Sequence, residues 1–267
     1  MRILVIGPNS YIAKHVQKHI AVKHGEWLVD TLSVRDDRWK TFDFSGYDSV
    51  LYFASIVHRK ETTELMEAYQ TVNCDIPVQI AGRLETGTQF LYFSTMAIFG
   101  VEGIVGKSVV IDRDTAIAPK SQYGKTKWAA ETALRAVAAE RKLVLAIFRP
   151  PMVYGPDCPG NYRIMEKFVL KFHVFPTLKN QRSMIHIDEL CEQVLACVER
   201  REAGVFHPQD EDYVCTLDMV REIAKEHRTK LVLIPLMNPF VTIASRFLPV
   251  LNKVWGNLVY DKEIDRR

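Results

Sequence analysis

Residues 2–7, Arg-Ile-Leu-Val-Ile-Gly, constrain the fold more than any other stretch. A continuous apolar run closed by glycine offers no polar face to water, so it reads as a strand buried on both sides, as in a parallel sheet. Pro8-Asn9-Ser10-Tyr11-Ile12-Ala13 follows, and then a helical pattern through Ile20. Strand, tight turn and helix together open a β-α-β unit, the crossover that parallel strands require. Gly7, Ser10 and Ala13 occupy the three glycine places of a Gly-x-x-Gly-x-x-Gly loop. The first permits the turn, the second lets backbone approach phosphate, and the third lets helix pack on strand. Gly7, Ser10, Tyr11 and Ile12 are the candidate cofactor contacts here, although an ordinary strand-turn-helix carries the same pattern.

The alternation continues. Trp27–Val34 reads as the second strand, and the end of that strand selects the dinucleotide: an acid holds a ribose diol, an arginine a 2′-phosphate. Ser33-Val34-Arg35-Asp36 carries both signals; Ser33 and Arg35 tip the expectation toward NADP, against a solvated surface arginine. In Phe42-Asp43-Phe44, Asp43 either accepts from an adenine amino group or caps a turn, and Phe44 is a neighbouring candidate. Asp48–Ser55 reads as a fourth strand ending in Phe53-Ala54-Ser55, where a cofactor must pass close to backbone. Asn73 falls in the following helix, bonding backbone near a site or facing solvent. Gln89–Thr95 reads as a fifth strand with Ser94 and Thr95 at its carboxyl end, the edge where open α/β sheets bind ligands.

Tyr123 and Lys127 stand four residues apart at the start of an alanine-rich helical pattern running to Lys142, so they share one helix face. A phenol titrates near pH ~10, too high for a base at neutrality. A neighbouring ammonium, aided by a cationic nicotinamide ring, favours the phenolate; lowering the pKa by ~3 units requires about 4 kcal/mol. Thr95 adds a hydroxyl to share the proton and hold a substrate alcohol. Tyr-x-x-x-Lys is short enough to arise by accident. What an accident would not arrange is Thr95 and Tyr123 on consecutive elements of one sheet edge.

Leu143–Phe148 is the next strand, and the prolines of Arg149-Pro150-Pro151-Met152-Val153-Tyr154-Gly155-Pro156 end it in a loop. Beyond it the alternation loosens. Arg182–Leu190 leads into a helix expected to be capped by Asp188, and from about Phe206 a smaller lobe carries a helix over Leu217–His227. With 267 residues, 48% hydrophobic and 25% charged, the chain can bury a core for one large α/β domain, alone or with a small lobe. A net charge of +3 is too small to argue for nucleic acid or an anionic membrane as a partner. Five scattered cysteines with no Cys-x-x-Cys suggest reduced thiols, with neither a disulfide frame nor a metal site. The N-terminus enters a strand without signal-peptide architecture. Prolines and Arg246 interrupt the apolar run Leu231–Leu251, so no membrane span is expected; its apolar bias suits a lobe surface or a peripheral contact. A cytoplasmic protein is the resulting expectation.

Taken jointly, several motifs carry a family likeness: Gly7-Ser10-Ala13, Phe53-Ala54, Asn73, Ser94-Thr95 with Phe99-Gly100, Tyr123-x-x-x-Lys127, Arg149-Pro150-Pro151-x-Val153-Tyr154-Gly155-Pro156, and Arg182 with Ile185-His186-Ile187-Asp188. To about residue 225 the chain resembles the extended short-chain dehydrogenase/reductases, in the NAD-dependent epimerase/dehydratase group acting on nucleotide sugars. The resemblance implies an α/β fold of Rossmann type: a doubly wound parallel sheet with a small C-terminal substrate-binding lobe. It places the NAD(P)-binding domain at 1–155 and the lobe at 156–267, interleaved with late elements of the first. It implies Tyr123 as general base, Lys127 on the ribose, and Thr95 orienting the substrate hydroxyl. Pro150 and Val153 join the cofactor set, and Arg182 and Asn161 the sugar-nucleotide diphosphate. A homodimer is compatible with it.

The departures are informative. Dehydratases of the group carry Asp-Glu directly after the threonine; here Met96-Ala97 stands instead, which argues against water elimination. Lys253–Asp261 resembles C4-acting UDP-hexose epimerases and 4-keto-sugar reductases of surface-polysaccharide pathways. The expected function is therefore NAD(P)-dependent oxidoreduction at C4 of a UDP-sugar, with epimerisation ahead of 4-keto reduction. Two other readings are a silent NAD(P)-sensing protein, which would not need Tyr123 and Lys127, and a flavin or quinone reductase, which would leave Arg182 without a role.

Overall fold

The structure, a computed structural model, describes residues 1–57, 63–159 and 161–265, apart from the side chains at 63, 64 and 161. The chain begins β1 (Arg2–Ile6), α1 (Tyr11–Lys23), β2 (Leu28–Leu32), α2 (Arg38–Thr41) and β3 (Ser49–Tyr52). It continues through α3 (Thr63–Gln70), a π-helical turn Thr71–Asp75, α4 (Ile76–Ala81), β4 (Gln89–Phe93) and a 3₁₀ turn Met96–Phe99. Then come β5 (Val110–Ile111), α5 (Gln122–Arg141), β6 (Val144–Phe148), β7 (Met152–Tyr154), α6 (Asn161–Phe172), β8 (Val174–Phe175) and β9 (Met184–His186). The last elements are α7 (Ile187–Glu199), β10 (Gly204–Phe206), α8 (Thr216–Glu226), β11 (Val232–Leu233), α9 (Met237–Ala244), α10 (Pro249–Trp255) and β12 (Val259–Tyr260).

Six strands form one parallel sheet in the order β10-β6-β4-β3-β1-β2. β2 and β3 lie on opposite sides of β1, so the winding direction reverses there; the crevice at the carboxyl ends of β1 and β3 is where such sheets bind ligands. The sheet interior is largely apolar: Ile3–Ile6, Val50–Tyr52 and Phe90–Tyr92 are all fully buried, and the buried polar pair Ser49–Gln89 at the start of β3 and β4 is satisfied by a 2.9 Å hydrogen bond. That is why these strands read as unbroken apolar runs rather than alternating ones. The strand expected fourth, Asp48–Ser55, is the third in chain order, since only α2 and irregular segments separate it from β2. α5 starts five residues before Lys127, and Asp188 sits inside the first turn of α7 rather than capping it.

The chain divides into two units that interleave in sequence. The first comprises 1–100, 117–151 and 187–208 and holds the six-stranded sheet; the second comprises 101–116, 152–186 and 209–267. Within the second, three two-stranded parallel pairs (β7-β9, β5-β12 and β8-β11) accompany a core of Val169, Phe175, Met184, Leu217, Val220 and Ile223. Among the described residues no helix is long and apolar enough to cross a membrane.

Candidate active site

β4 delivers Ser94 and Thr95 to the carboxyl edge of the sheet. Thr95 caps the 3₁₀ turn, its hydroxyl accepting from Ala97 N–H at 3.2 Å. Met96 N–H donates to the Pro150 carbonyl (3.1 Å), tying this turn to the exit of β6. Gly100 closes the turn at φ 63°, where an added Cβ would lie 1.9 Å from the Ala118 carbonyl oxygen. α5 arrives from the other side, capped by Ser121, whose hydroxyl accepts from Gly124 N–H at 3.1 Å. A Cβ on Gly124 would fall 2.9 Å from the Ala97 carbonyl oxygen. Two glycines thus bring the threonine turn and the helix carrying Tyr123 together, backbone against backbone.

Tyr123 is half-buried. Burial pushes its phenol up to about 12, and the neighbouring Thr95 and Ser55 hydroxyls pull the other way. Lys127 is 1% exposed; its Nζ donates to the Phe93 carbonyl at 2.7 Å and lies 4.7 Å from the centre of the Tyr92 ring. Nζ is 5.9 Å from the Tyr123 ring centre. Burial lowers the ammonium to about 7, against the attraction of Glu131. The expected depression of the phenol by Lys127 is therefore not produced by the protein groups alone, because desolvation outweighs every other influence on both side chains. A second positive charge beside the phenol is needed, and a cationic nicotinamide is such a group.

One turn further along α5, Glu131 is 0% exposed and accepts three hydrogen bonds from two arginines. Arg149 clasps it with two donors at 3.0 and 2.7 Å, and Arg135 adds a third at 2.9 Å. Arg149 and the Arg135 contact keep the carboxyl below its usual range despite burial. The buried Ser94 hydroxyl also turns toward Glu131, short of good hydrogen-bond geometry. Tyr123, Lys127 and Glu131 thus form one stripe at i, i+4 and i+8. Glu131 escaped the sequence reading; its spacing from Lys127 was the available signal.

The dinucleotide cradle fits the residues present. Gly7 has φ 79°, and a Cβ there would sit 2.6 Å from Ala54 N, so β1 and the exit of β3 approach as closely as backbone allows. Ser10 needs no glycine conformation (φ −67°, ψ 154°) and caps α1 by accepting from Ala13 N–H at 3.2 Å. The first-turn amides of α1, beginning at Tyr11 and Ile12, open on this loop, as pyrophosphate binding requires. Asn73, fully buried in the π-helical turn, accepts from Ile56 N–H (2.9 Å) and from the Ser55 hydroxyl (3.1 Å). It also donates to the Ile56 carbonyl (3.1 Å) and the Thr126 hydroxyl (3.3 Å), bracing the β3 exit against α5. Of its two expected roles, the backbone one is realised.

At the end of β2, Asp36 is engaged by Arg38 through two contacts of 2.9 Å, while Arg35 is exposed and has no ion pair among the described residues. Ser33 accepts from Arg35 N–H at 3.2 Å. Asp43 caps a turn through Ser45 N–H (3.0 Å), the simpler of its two expected roles. Phe44 is a core residue under the Arg83 guanidinium, 4.6 Å from its ring centre, and Phe53 and Ala54 are likewise buried.

In the second unit, Val153 lies in β7 opposite Ile185. Arg182 is half-buried, donates to the Gly256 carbonyl at 3.0 Å and has no acidic partner among the described residues. Burial lowers its pKa, as expected for a guanidinium lacking a counter-anion. Tyr154 OH and His186 N–H both donate to Asp210, at 2.7 and 2.9 Å, an organising carboxylate that sequence reasoning did not single out. The Asn161 side chain and Gly160 lie outside the described residues.

The family model for the NAD dependent epimerase/dehydratase family matches residues 3–214. The chain belongs to this family. A UDP-glucose 4-epimerase of Vibrio cholerae is 26% identical over 225 residues, covering 81% of this chain and 68% of that protein. The N-acetyl-α-D-glucosaminyl-diphospho-ditrans,octacis-undecaprenol 4-epimerase of Escherichia coli O157:H7 is 23% identical over 231 residues, covering 84% and 68%. Among solved structures, the UDP-glucuronic acid 4-epimerase of Bacillus cereus in complex with NAD superposes with a TM-score of 0.72 at 18% identity, covering 100% of this chain and 90% of that one. A dTDP-4-dehydrorhamnose reductase of Bacillus anthracis in complex with NADP gives 0.69 at 14%, covering 87% and 83%. These structural likenesses establish the Rossmann-like α/β fold. In this NAD(P)-dependent family the replacement of two loop glycines by Ser10 and Ala13 keeps the cradle's shape, since Ser10 is extended and Ala13 is fully buried.

Proposed function

We propose that the chain catalyses NAD(P)-dependent oxidoreduction at C4 of a nucleotide sugar, with 4-epimerisation of a UDP-hexose as the leading reaction. The observation that carries this is the Tyr123 phenol beside the Thr95 and Ser55 hydroxyls at the carboxyl edge of β4, with the Lys127 ammonium 5.9 Å from the Tyr123 ring centre. Thr95 positions the C4 hydroxyl and Tyr123 takes its proton as C–H oxidation begins. Tyr123 returns the proton to the 4-keto oxygen in the second half. Lys127 holds the cofactor ribose and contributes positive charge. A nicotinamide held by the β1–α1 cradle would supply the hydride acceptor and donor. Arg182 neutralises the sugar-linked diphosphate, and Asn161 is a second donor to it. A diphosphate-linked sugar is common to a UDP-hexose and to the substrate named for the E. coli relative, so the same arginine serves either.

Reduction of a UDP-4-keto-hexose is the second reading. The phenol at about 12 favours it, because a protonated Tyr123 is the form that donates to a keto oxygen. Dehydration is disfavoured: Met96 and Ala97 follow Thr95 and provide neither acid nor base. A silent sensor would have no use for so much buried charge around Lys127. The discriminating experiment supplies enzyme with a UDP-hexose and, separately, with a UDP-4-keto-hexose plus NADH or NADPH. Interconversion of C4 epimers without net cofactor consumption is expected. One-for-one consumption of reduced cofactor with no epimerisation would replace the epimerase by the ketoreductase, and inertness toward both would remove the nucleotide-sugar reading.

A further inference from the structure

The segment from 235 to 253, within the second unit, has its polarity inside out. Its polar side chains point into the unit. Asn238 and Thr177 exchange two hydrogen bonds of 2.9 Å, Ser245 is buried, and Asn252 donates to the Ser245 carbonyl (3.0 Å) while accepting from Val105 N–H (3.0 Å). Its large apolar side chains point out. Leu236, Phe240, Ile243 and Phe247, spaced 4, 3 and 4 residues, share one side, and Leu248 and Val250 extend it; all six are between 52% and 77% exposed. Contiguous exposed apolar surface of this kind marks a contact site.

The charge around this face indicates what it contacts. Residues 231–257 contain no Asp or Glu, and their two charged residues, Arg246 and Lys253, are both cationic and exposed. α6 repeats the pattern in the same unit: Ile164, Phe168 and Phe172 are exposed at i, i+4 and i+8, beside exposed Arg163, Lys167 and Lys171. Its one acid, Glu166, is paired with His227. α6 runs into β8, which pairs with β11 just before α9; Val232 N–H donates to the His173 carbonyl at 2.8 Å. Apolar side chains exposed on helices too short to span, on a segment whose charges are Arg246 and Lys253 and beside the exposed cations of α6, match the outer boundary of an anionic bilayer.

We propose that this face seats the protein on the surface of an anionic lipid bilayer, with Leu236, Phe240, Ile243 and Phe247 among the acyl chains and Arg246 and Lys253 at the phosphates. The inference is independent of the reaction proposed above, because vesicle binding requires neither sugar nor dinucleotide. The test is flotation of the full chain with vesicles of phosphatidylcholine alone and of phosphatidylcholine with phosphatidylglycerol, with oligomeric mass measured in parallel. Binding to the anionic vesicles is expected. It should weaken at least about tenfold in Phe240→Ser/Phe247→Ser. It should weaken roughly fivefold per unit charge in Arg246→Glu. Oligomeric mass should stay unchanged in both. Absent flotation, equal binding to neutral vesicles, or retention by the double variant would overturn the proposal. A fall in oligomeric mass in the double variant would overturn it too, by assigning the face to a second copy of the chain.

Discussion

In the proposed reaction the hydroxyl of Tyr123 and the ammonium of Lys127 carry the chemistry, and each is held against its own solvation. For Tyr123→Phe the fold and dinucleotide binding should persist, since only the titrating oxygen is lost. Turnover should fall about 10²–10⁴-fold, the usual worth of one general acid–base; near-wild-type turnover would show the proton passing elsewhere. Lys127 predicts a stability signature. Its folded pKa is about 7 against a reference of 10.5, so between those values the unfolded chain binds the extra proton. Stability therefore rises with pH across that window and is independent of Lys127 below it. Above pH ~9 unfolded thiols and phenols ionise and pull the other way, Cys191 and Cys197 being held protonated to about 12 in the fold. The clean range is thus pH ~7 to ~8.5. The melting temperature should climb over it in the native protein and stay flat in Lys127→Met, which should also lose turnover. Parallel slopes in the two would mean that Lys127 is better solvated than its burial indicates.

At the scale of elements, the decisive contact is α5 against the threonine turn. Gly124→Ala should gain about 1 kcal/mol of helix propensity, yet its Cβ would meet the Ala97 carbonyl oxygen at 2.9 Å and Pro119 at 3.1 Å. Stability should change little while the Thr95–Tyr123 geometry shifts. A displacement well under 1 Å is enough to cut kcat roughly 10- to 100-fold with dinucleotide affinity nearly unchanged. Unaltered kcat would show that the turn relaxes freely. Glu131→Gln should cost about 3–5 kcal/mol in denaturant unfolding, because it leaves the Arg149 guanidinium buried without its anion. A loss below about 1 kcal/mol would mean the pair is solvated. These elements also mark what was legible in the sequence. β1, its turn and α1 were readable because burial on both faces leaves an unbroken apolar run and helix contact demands small residues. Tyr123 and Lys127 were readable because one helix face places them. The Glu131–Arg149 clasp and the Asp210 hub were not, since each joins residues at least 18 positions apart that have no local period; for Asn73 the sequence offered a backbone role without its partners.

At the scale of the whole molecule, a doubly wound sheet presents its reversal point, between β1 and β3, to a dinucleotide, and the end of β2 sets which one. Asp36 is engaged by Arg38 and Arg35 is not paired, so a modest preference for NADP is expected. Arg35→Glu should shift the ratio of affinities toward NAD by about tenfold, read by titrating both dinucleotides. An unchanged ratio would leave Arg35 a surface charge. The central claim, hydride and proton movement at C4 of a nucleotide sugar by Thr95, Tyr123 and Lys127, is tested most directly with a UDP-hexose deuterated at C4. The account predicts a primary isotope effect on turnover and retention of the label at C4 of the product, both abolished with activity in Tyr123→Phe. Turnover without an isotope effect, or with the C4 label lost to water, would contradict it.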